Sequence, residues 1–235
     1  MTTKYLTATI LLLLSEFILI KLPENQATFW VAIARLLAAI VLVVWYCQSR
    51  KPLPTLIDKL FITGLILPIF ISLCVIFFPK AIKDFNLITH AIMLGLWAAI
   101  FKIMGASIKG QGSFYKFLRI IPIYSLVPIL FYIFSLHPAL PDFEKIMLLT
   151  YTAIYIYTST LASFLPVSDS DKFWISWSVV LMSFANLLVF YSIFVEPLPW
   201  LGFIPRAIVI LSRCILIIGM VDYFKSKEIA LSNQI

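Results

Sequence analysis

Long runs of apolar residues alternate with short polar or proline-containing breaks along the whole chain. Each run has about 19 to 24 residues, which at a rise of about 1.5 Å per residue is enough to cross a hydrocarbon core about 30 Å thick. Each run therefore predicts a membrane-spanning helix. The eight predicted spans cover residues 4–22, 28–47, 57–78, 86–105, 117–136, 144–165, 172–195 and 202–224.

The breaks between the runs carry residues that favour turns. Pro23-Glu24-Asn25 follows the first run, residues 110–113 (Gly-Gln-Gly-Ser) separate the fourth from the fifth, and Pro197 precedes the last. The first run also has the basic and apolar parts of a signal peptide. However, Glu16 interrupts it and no small-residue cleavage site follows, so we expect a retained helix.

The composition indicates that lipid is the solvent for much of the surface. Hydrophobic residues make up 62% of the chain and charged residues 12%, whereas a soluble domain is about 25% charged. The sequence therefore predicts an all-α polytopic membrane protein, with eight transmembrane helices in one bundle and a single domain over residues 1–235. The net charge of +7 is spread between the runs, so we expect no nucleic-acid partner.

Lysine and arginine are distributed unequally between the two ends of the predicted spans. Because basic residues accumulate on the cytoplasmic side, the excess predicts that both termini lie in the cytoplasm of a multi-pass cell-membrane protein. Eleven basic residues fall on the predicted cytoplasmic side and five on the other; they are Lys4, Arg50, Lys51, Lys59, Lys102, Lys109, Lys116, Arg119, Lys172, Lys225 and Lys227 against Lys21, Lys80, Lys83, Lys145 and Arg206.

Three charged residues, Glu16, Arg35 and Arg213, lie deep within predicted spans, several residues from either end. A charge near the bilayer centre costs roughly 2.5 to 3.5 kcal/mol on insertion scales, so such residues usually face the protein interior and find a partner. Glu16 and Arg35 belong to consecutive antiparallel spans and are predicted at similar depth, which allows them to meet. The sequence leaves open which arginine pairs with Glu16.

Other polar residues are predicted at membrane depth in the same half of the bundle: Ser72, His90, Ser183 and Asn186. Ser183 and Asn186 lie one turn apart on one helix face. Together with the three charged residues they allow two interpretations. They form either a buried network that fixes helix packing, or a polar pocket for a lipid head group or small solute. Two arginines against one glutamate would favour an anionic ligand.

No motif in the sequence predicts a cofactor, a metal site or a catalytic centre. The three cysteines form no C-x-x-C pair, and both histidines are isolated from other metal-ligating residues. The acidic residues in loops and at span ends, Asp58 among them, are explained by helix capping, as in the Ser168-Asp169-Ser170-Asp171 segment that precedes the seventh span. We assign no catalytic role to any of them.

Several of these positions fall in segments that resemble the YhhN-like lysoplasmalogenase family of eight-helix membrane proteins. Residues 34–37 (Ala-Arg-Leu-Leu) align with the family's Lys-Pro-Leu-Leu, and Ser72 stands where the family carries an aspartate in its third helix. In the seventh helix Asn186 stands at a second family aspartate, eight residues before Phe194. In the eighth, Arg213 precedes Gly219 by the family's spacing of six residues.

The resemblance implies a fold that binds lysolipids. The positions where this chain departs from the family pattern affect which reaction it could catalyse. Vinyl-ether hydrolysis needs a group that protonates carbon and a base for water, and neither Ser72 nor Asn186 supplies a proton near neutral pH. We therefore expect a divergent member with a polar intramembrane pocket and membrane lipids, lysophospholipid among them, as partners. Catalysis is not required for that function.

Two alternatives remain open from the sequence. One is an active lysoplasmalogenase-type hydrolase that uses Glu16 in place of the missing aspartates. The other is a small transporter or a membrane scaffold outside this family. An internal repeat would favour a transporter, and the breaks and charged sites do not recur between the two halves. Protein partners cannot be inferred from the residues.

Overall fold

The computed structural model describes residues 2–21, 24–50, 55–78, 82–107, 125–196 and 203–232. Its described residues form helices joined by turns, without a strand. The long helices are α1 Thr2–Leu19, α2 Glu24–Ser49, α3 Leu56–Phe77, α4 Ile82–Ile103, α6 Asp142–Ser163, α7 Asp169–Phe194 and α8 Ile204–Ser232. The short α5, Val127–Phe131, continues into a π-helical turn, Tyr132–Leu136, and a 3-10 turn, His137–Ala139.

Six helices of the described chain are long and apolar enough to cross a membrane. This confirms the prediction of an all-helical, multi-pass membrane protein. The total of eight spans and the side on which the termini lie stay predictions. The six apolar stretches are Phe29–Ser49, Leu56–Phe77, Phe85–Ile103, Asp142–Ser163, Asp169–Phe194 and Ile204–Glu228.

The helix boundaries differ from the predicted spans mainly where polar residues continue a helix beyond its apolar part. Helix α8 runs to Ser232, eight residues past the predicted end of the last span, and its Lys225, Lys227 and Glu228 are exposed. A hydrophobicity pattern marks the apolar part of a helix and not its solvated continuation. For the predicted span 117–136, residues 117–124 lie outside the described residues.

Helices α2, α3, α4, α6, α7 and α8 close a ring. Each packs on the next in that order, and α8 also packs on α2. Helix α1 packs antiparallel along α2, with Tyr5 stacked on Trp45 at one end and Glu16 paired with Arg35 toward the other. The contact between α2 and α8 was not predictable from the sequence, and it brings Arg35 and Arg213 to one side of the ring.

Large apolar side chains cover much of the outside of the bundle. Ile18, Phe77 and Phe134 are 67%, 68% and 74% exposed. This arrangement is expected for a surface that contacts lipid tails rather than water. The core inside the ring is rich in aromatic residues toward the end of the bundle where α3 begins.

In that core a column of rings fills the space between α2, α3 and α4. The Phe61 ring lies 4.5 Å from Tyr46 and 4.8 Å from Trp97, measured between ring centroids. Gly64 gives the Trp97 ring its space, because a Cβ at that position would lie 2.9 Å from the indole. The column closes the ring at this end and leaves the other end free for the cavity described below.

Candidate functional site

A cavity of about 410 Å³ lies inside the ring, at the end where α1, α3 and α7 finish and α2, α4 and α8 begin. This is the end that the distribution of basic residues predicts to be extracytoplasmic. Its walls are mainly apolar, with a small set of polar side chains. The lining residues are Glu16, Arg35, Ala38, Ala39, Leu42, Pro68, Ile71, Ser72, Val75, Asn86, His90, Asn186, Val189, Phe190, Ile193, Arg206, Val209, Ile210 and Arg213.

Six of the seven predicted site residues line this cavity: Glu16, Arg35, Ser72, His90, Asn186 and Arg213. They come from six different helices, α1, α2, α3, α4, α7 and α8, whose packing brings them together. The seventh, Ser183, is fully buried one turn from Asn186 and lies below the cavity surface. The structure therefore places the predicted residues in one region of the bundle.

The acidic residue of the cavity is held in an ion pair. Glu16 accepts a hydrogen bond from Arg35 Nε at 2.8 Å, and the Arg206 guanidinium lies 3.8 Å from the same carboxylate oxygen. The Glu16 side chain is 2% exposed, whereas those of Arg35 and Arg206 are 25% and 35% exposed. The two arginines therefore lie at the accessible part of the cavity, and Glu16 neutralises much of their charge.

Arg213 lies deeper and has no carboxylate within ion-pair distance among the described residues. It is 6% exposed, and its Nε has no hydrogen-bond partner. One terminal nitrogen points to the Met93 sulfur at 3.7 Å, and a thioether is a weak acceptor. From the start of α8 the residue lies about 14 Å down the helix axis. A buried guanidinium in this state retains most of its capacity to bind an anion.

Asn186 presents a second unpaired donor in the same part of the cavity. It is 3% exposed, and its Nδ2 has no hydrogen-bond partner. Tyr151 and Ser183 lie beside it, yet neither hydroxyl reaches hydrogen-bond geometry with it. Helices α7 and α8 pack closely, so Asn186 and Arg213 reach the cavity from adjacent walls.

The other two predicted polar residues are satisfied by their own helices. Ser72 donates to the carbonyl of Pro68 at 3.0 Å. His90 Nδ1 lies 2.8 Å from the carbonyl of Asn86, and because a carbonyl only accepts, this nitrogen carries the proton. The His90 ring also packs edge-on against Phe190, with centroids 6.2 Å apart. Both side chains form part of the cavity wall, but Ser72 Oγ and His90 Nδ1 already use their protons in these hydrogen bonds.

Sequence reasoning missed Arg206 and Asn86. Arg206 was counted as a loop charge that sets topology, but it lies in the first turn of α8 and lines the cavity. Helical spacing could have found both residues. Arg206 lies seven residues before Arg213, and Asn86 four before His90, and each spacing places the pair on one helix face.

The charges give the cavity a positive field. Three arginines and one glutamate line it, which leaves a formal net charge of +2 with His90 neutral. No group of three or more His, Cys, Asp or Glu side chains that could hold a metal ion occurs among the described residues. The arrangement is suited to holding an anion next to an apolar group.

A second buried charged cluster, at the opposite end of the ring, shows a fully paired arginine for comparison. Arg50 donates to Asp58 at 3.2 Å and to Glu228 at 2.8 Å, and it lies over the Phe224 ring at 3.9 Å. Burial alone would lower the pKa of Arg50, but these hydrogen bonds raise it above its ordinary value. Tyr46 also donates to Asp58, at 2.6 Å.

Comparison with protein-family models, curated proteins and solved structures finds no match to this chain.

Proposed function

We propose that this protein binds a membrane amphiphile with an anionic head group, such as a lysophospholipid, in the cavity between its helices. The observation that carries the proposal is Arg213, a buried guanidinium that has no anionic partner among the described residues and faces an apolar-walled cavity. An unpaired charge at membrane depth is costly, and an anionic ligand would compensate it. Glu16, the other charged residue buried in the cavity wall, is paired with Arg35.

The size and walls of the cavity favour an amphiphile over a fully polar solute. Small-molecule sites occupy about 300 to 1,000 Å³ and are lined mainly by apolar side chains with a few polar groups. A volume of about 410 Å³ therefore accommodates a head group with part of one acyl chain. Ile71, Val75, Val189 and Ile193 offer an apolar wall for that chain.

We further propose a divergent YhhN-like membrane protein, eight-spanning, in the cell membrane with both termini cytoplasmic. Support comes from three positions that the resemblance aligned in different helices, Ser72, Asn186 and Arg213, because all three line one cavity. The placement of the cavity at the predicted extracytoplasmic end would then give lipids of the outer leaflet access to it.

Binding is favoured over hydrolysis by the state of Glu16. It is the acidic residue of the cavity lining, and its carboxylate is held by Arg35 at 2.8 Å with Arg206 nearby. A carboxylate that is engaged by two arginines and 2% exposed is poorly placed to reach a substrate as a general acid. A hydrolase of the lysoplasmalogenase type needs such an acid to protonate its vinyl ether.

Native mass spectrometry with lipid analysis of the detergent-purified protein tests the proposal. We expect the wild type to retain a lysophospholipid or another anionic lipid, and Arg35→Gln/Arg213→Gln to lose it. A matched double variant, Lys59→Gln/Lys102→Gln, removes two exposed positive charges at the other end of the bundle and should keep the lipid. Absence of a specific lipid in the wild type, with reconstituted anionic lipids also failing to bind, would contradict it.

A further inference from the structure

Two hydrogen-bond donors that have no partner among the described residues line the cavity, Arg213 Nε on α8 and Asn186 Nδ2 on α7. Both residues line the cavity, and both are more than nine-tenths buried. Buried polar groups in folded proteins nearly always have a partner, so two unpaired donors that line one cavity are suited to an acceptor carried by a ligand. Resting on the proposed function, we infer that Arg213 and Asn186 form the subsite for the phosphate group of the ligand.

The chemistry of the two donors fits a phosphate. A guanidinium binds phosphate through parallel N–H bonds, and an oxygen not taken by the arginine can accept from an amide in another direction. Arg213 and Asn186 approach from adjacent helices and can each contact a different oxygen. The one polar contact of Arg213, to the Met93 sulfur at 3.7 Å, is weak enough to be replaced by a charge-assisted hydrogen bond.

The two other arginines of the cavity are less suited to hold the phosphate. Arg35 and Arg206 lie 2.8 and 3.8 Å from the Glu16 carboxylate. An anion bound there would be attracted by the two arginines but repelled by the Glu16 carboxylate, and this repulsion offsets part of the attraction. Repulsion by Glu16 and attraction by Arg213 act in the same direction, and both move the phosphate toward the deep end of the cavity.

The subsite also gives a basis for selecting among amphiphiles. A neutral amphiphile of the same chain length can fill the apolar part of the cavity, but it leaves Arg213 and Asn186 unpaired. A phosphate-bearing lipid satisfies both donors. Monoacylglycerol and lysophosphatidic acid with the same acyl chain differ only in the phosphate, so the pair isolates the contribution of the subsite.

The test measures the affinity of purified, delipidated protein for these two lipids and for inorganic phosphate. For lysophosphatidic acid we expect a Kd about tenfold or more below that for monoacylglycerol, the size of one lost charge-assisted hydrogen bond. Arg213→Gln and Asn186→Leu should each weaken lysophosphatidic acid binding by about tenfold or more. They should change monoacylglycerol binding little.

Lys59→Gln/Lys102→Gln is the control, because it removes two exposed positive charges at the opposite end of the bundle and should leave lipid affinity unchanged. If Arg213→Gln does not fold, Arg213→Lys keeps the charge and loses the planar fork. We then expect an intermediate affinity for Arg213→Lys and the full loss for Asn186→Leu.

The possible outcomes separate the subsite from the proposed function. If lysophosphatidic acid binds the wild type and both subsite variants equally, the subsite is overturned and lipid binding stands. The same conclusion follows if the wild type binds monoacylglycerol as tightly as lysophosphatidic acid. Inorganic phosphate that binds in an Arg213-dependent manner, without lipid binding, would support the subsite and overturn the lipid function. Failure of all three probes to bind the wild type would overturn both.

Discussion

Two buried arginines of equal exposure, Arg50 and Arg213, sit in opposite electrostatic states in this protein. Arg50 has two carboxylates and an aromatic ring around its guanidinium, whereas Arg213 has a thioether and an unpaired Nε. Removing one member of a buried ion pair leaves the other charge uncompensated, but removing an unpaired charge leaves nothing behind. Arg50 is therefore a structural residue, whereas Arg213 is available to a ligand.

This difference predicts opposite effects on stability. Arg50→Gln should lower the free energy of unfolding by roughly 2 to 5 kcal/mol, because Asp58 loses its cation inside the protein. In delipidated protein, Arg213→Gln should unfold at the same temperature as the wild type or above it. Thermal unfolding in detergent measures both variants. A large loss of stability in delipidated Arg213→Gln would show that its charge is compensated within the chain.

Glu16 provides a second prediction at the residue scale. Glu16→Gln removes the carboxylate that neutralises Arg35 and Arg206, so the cavity gains positive charge. We expect the affinity for an anionic lysolipid to rise, by about two- to tenfold at a Coulomb gain of roughly 1 kcal/mol. Titration of the purified variant with lysophosphatidic acid measures this.

Glu196→Gln is the control for that prediction. Glu196 follows α7 at the same end of the bundle, but it is exposed and does not line the cavity. The same change of charge there should leave the affinity unaltered. An unchanged or weaker affinity in Glu16→Gln would mean that its negative charge does not oppose the ligand.

At the scale of helices, the close packing of α3 against α4 depends on Gly64 of α3. A Cβ at this position would lie 2.9 Å from the Trp97 ring, which is fully buried and part of the aromatic column. Gly64→Ala should therefore destabilise the protein by roughly 1 to 3 kcal/mol, the usual effect of overpacking. Gly95→Ala is the matched control in α4, because no atom lies within 4 Å of its Cβ position.

Comparison of the two variants by thermal unfolding separates packing from helix propensity. Alanine favours a helix over glycine by up to about 1 kcal/mol, so Gly95→Ala should be neutral or stabilising. If both variants gained stability alike, the Trp97 ring would have room to move, and the α3–α4 contact would not depend on Gly64.

The sequence was informative about helices and about local contacts. Apolar runs placed the ends of the described long helices to within about four residues, except for the polar end of α8, and the antiparallel order of the first two spans anticipated the Glu16–Arg35 pair. The capping interpretation of Ser168 is confirmed by the bond it accepts from the Asp171 N–H, and that of Asp58 by its capping box with Thr55. Each of these follows from residues close in sequence or from consecutive helices.

Contacts between distant helices could not be predicted in the same way. Apolar periodicity does not say which helices are neighbours, so the α2–α8 contact and the Arg50–Glu228 pair were unforeseen. Asp58 was interpreted as a cap alone, although it is also the carboxylate partner of Arg50. Arg206 was missed because its position at a span end is equally typical of a topology-setting loop charge.

At the scale of the whole molecule, two packing relations support the proposed eight-span topology. Helix α1 lies antiparallel along α2 over most of its length, as a spanning helix would. Helices α4 and α6 run parallel, since Leu94 contacts Thr158 and Gly105 lies next to Pro166. The eight-span prediction expects parallel neighbours here, because its fifth span separates these two helices in sequence.

Cysteine accessibility in cells tests this topology. After replacement of Cys47, Cys74 and Cys214, single cysteines are introduced at exposed positions on the two predicted sides. A membrane-impermeant maleimide should label Lys21→Cys and Glu196→Cys in intact cells, because the basic residues predict these ends to lie outside. It should label Asp169→Cys and Lys227→Cys only after permeabilisation. Lys21→Cys and Glu196→Cys on opposite sides would contradict the eight-span arrangement.

The central claim is that Arg213 and Asn186 bind the anionic group of a ligand, and a density map tests this most directly. The measurement is a cryo-electron microscopy map of the protein, bound to a rigid fiducial, in nanodiscs that contain lysophosphatidic acid. We predict density for a phosphate within hydrogen-bond distance of Arg213 Nε and Asn186 Nδ2, continuous with an acyl chain along the apolar wall. A cavity filled by protein side chains, or Arg213 paired with a carboxylate of the chain, would contradict the account.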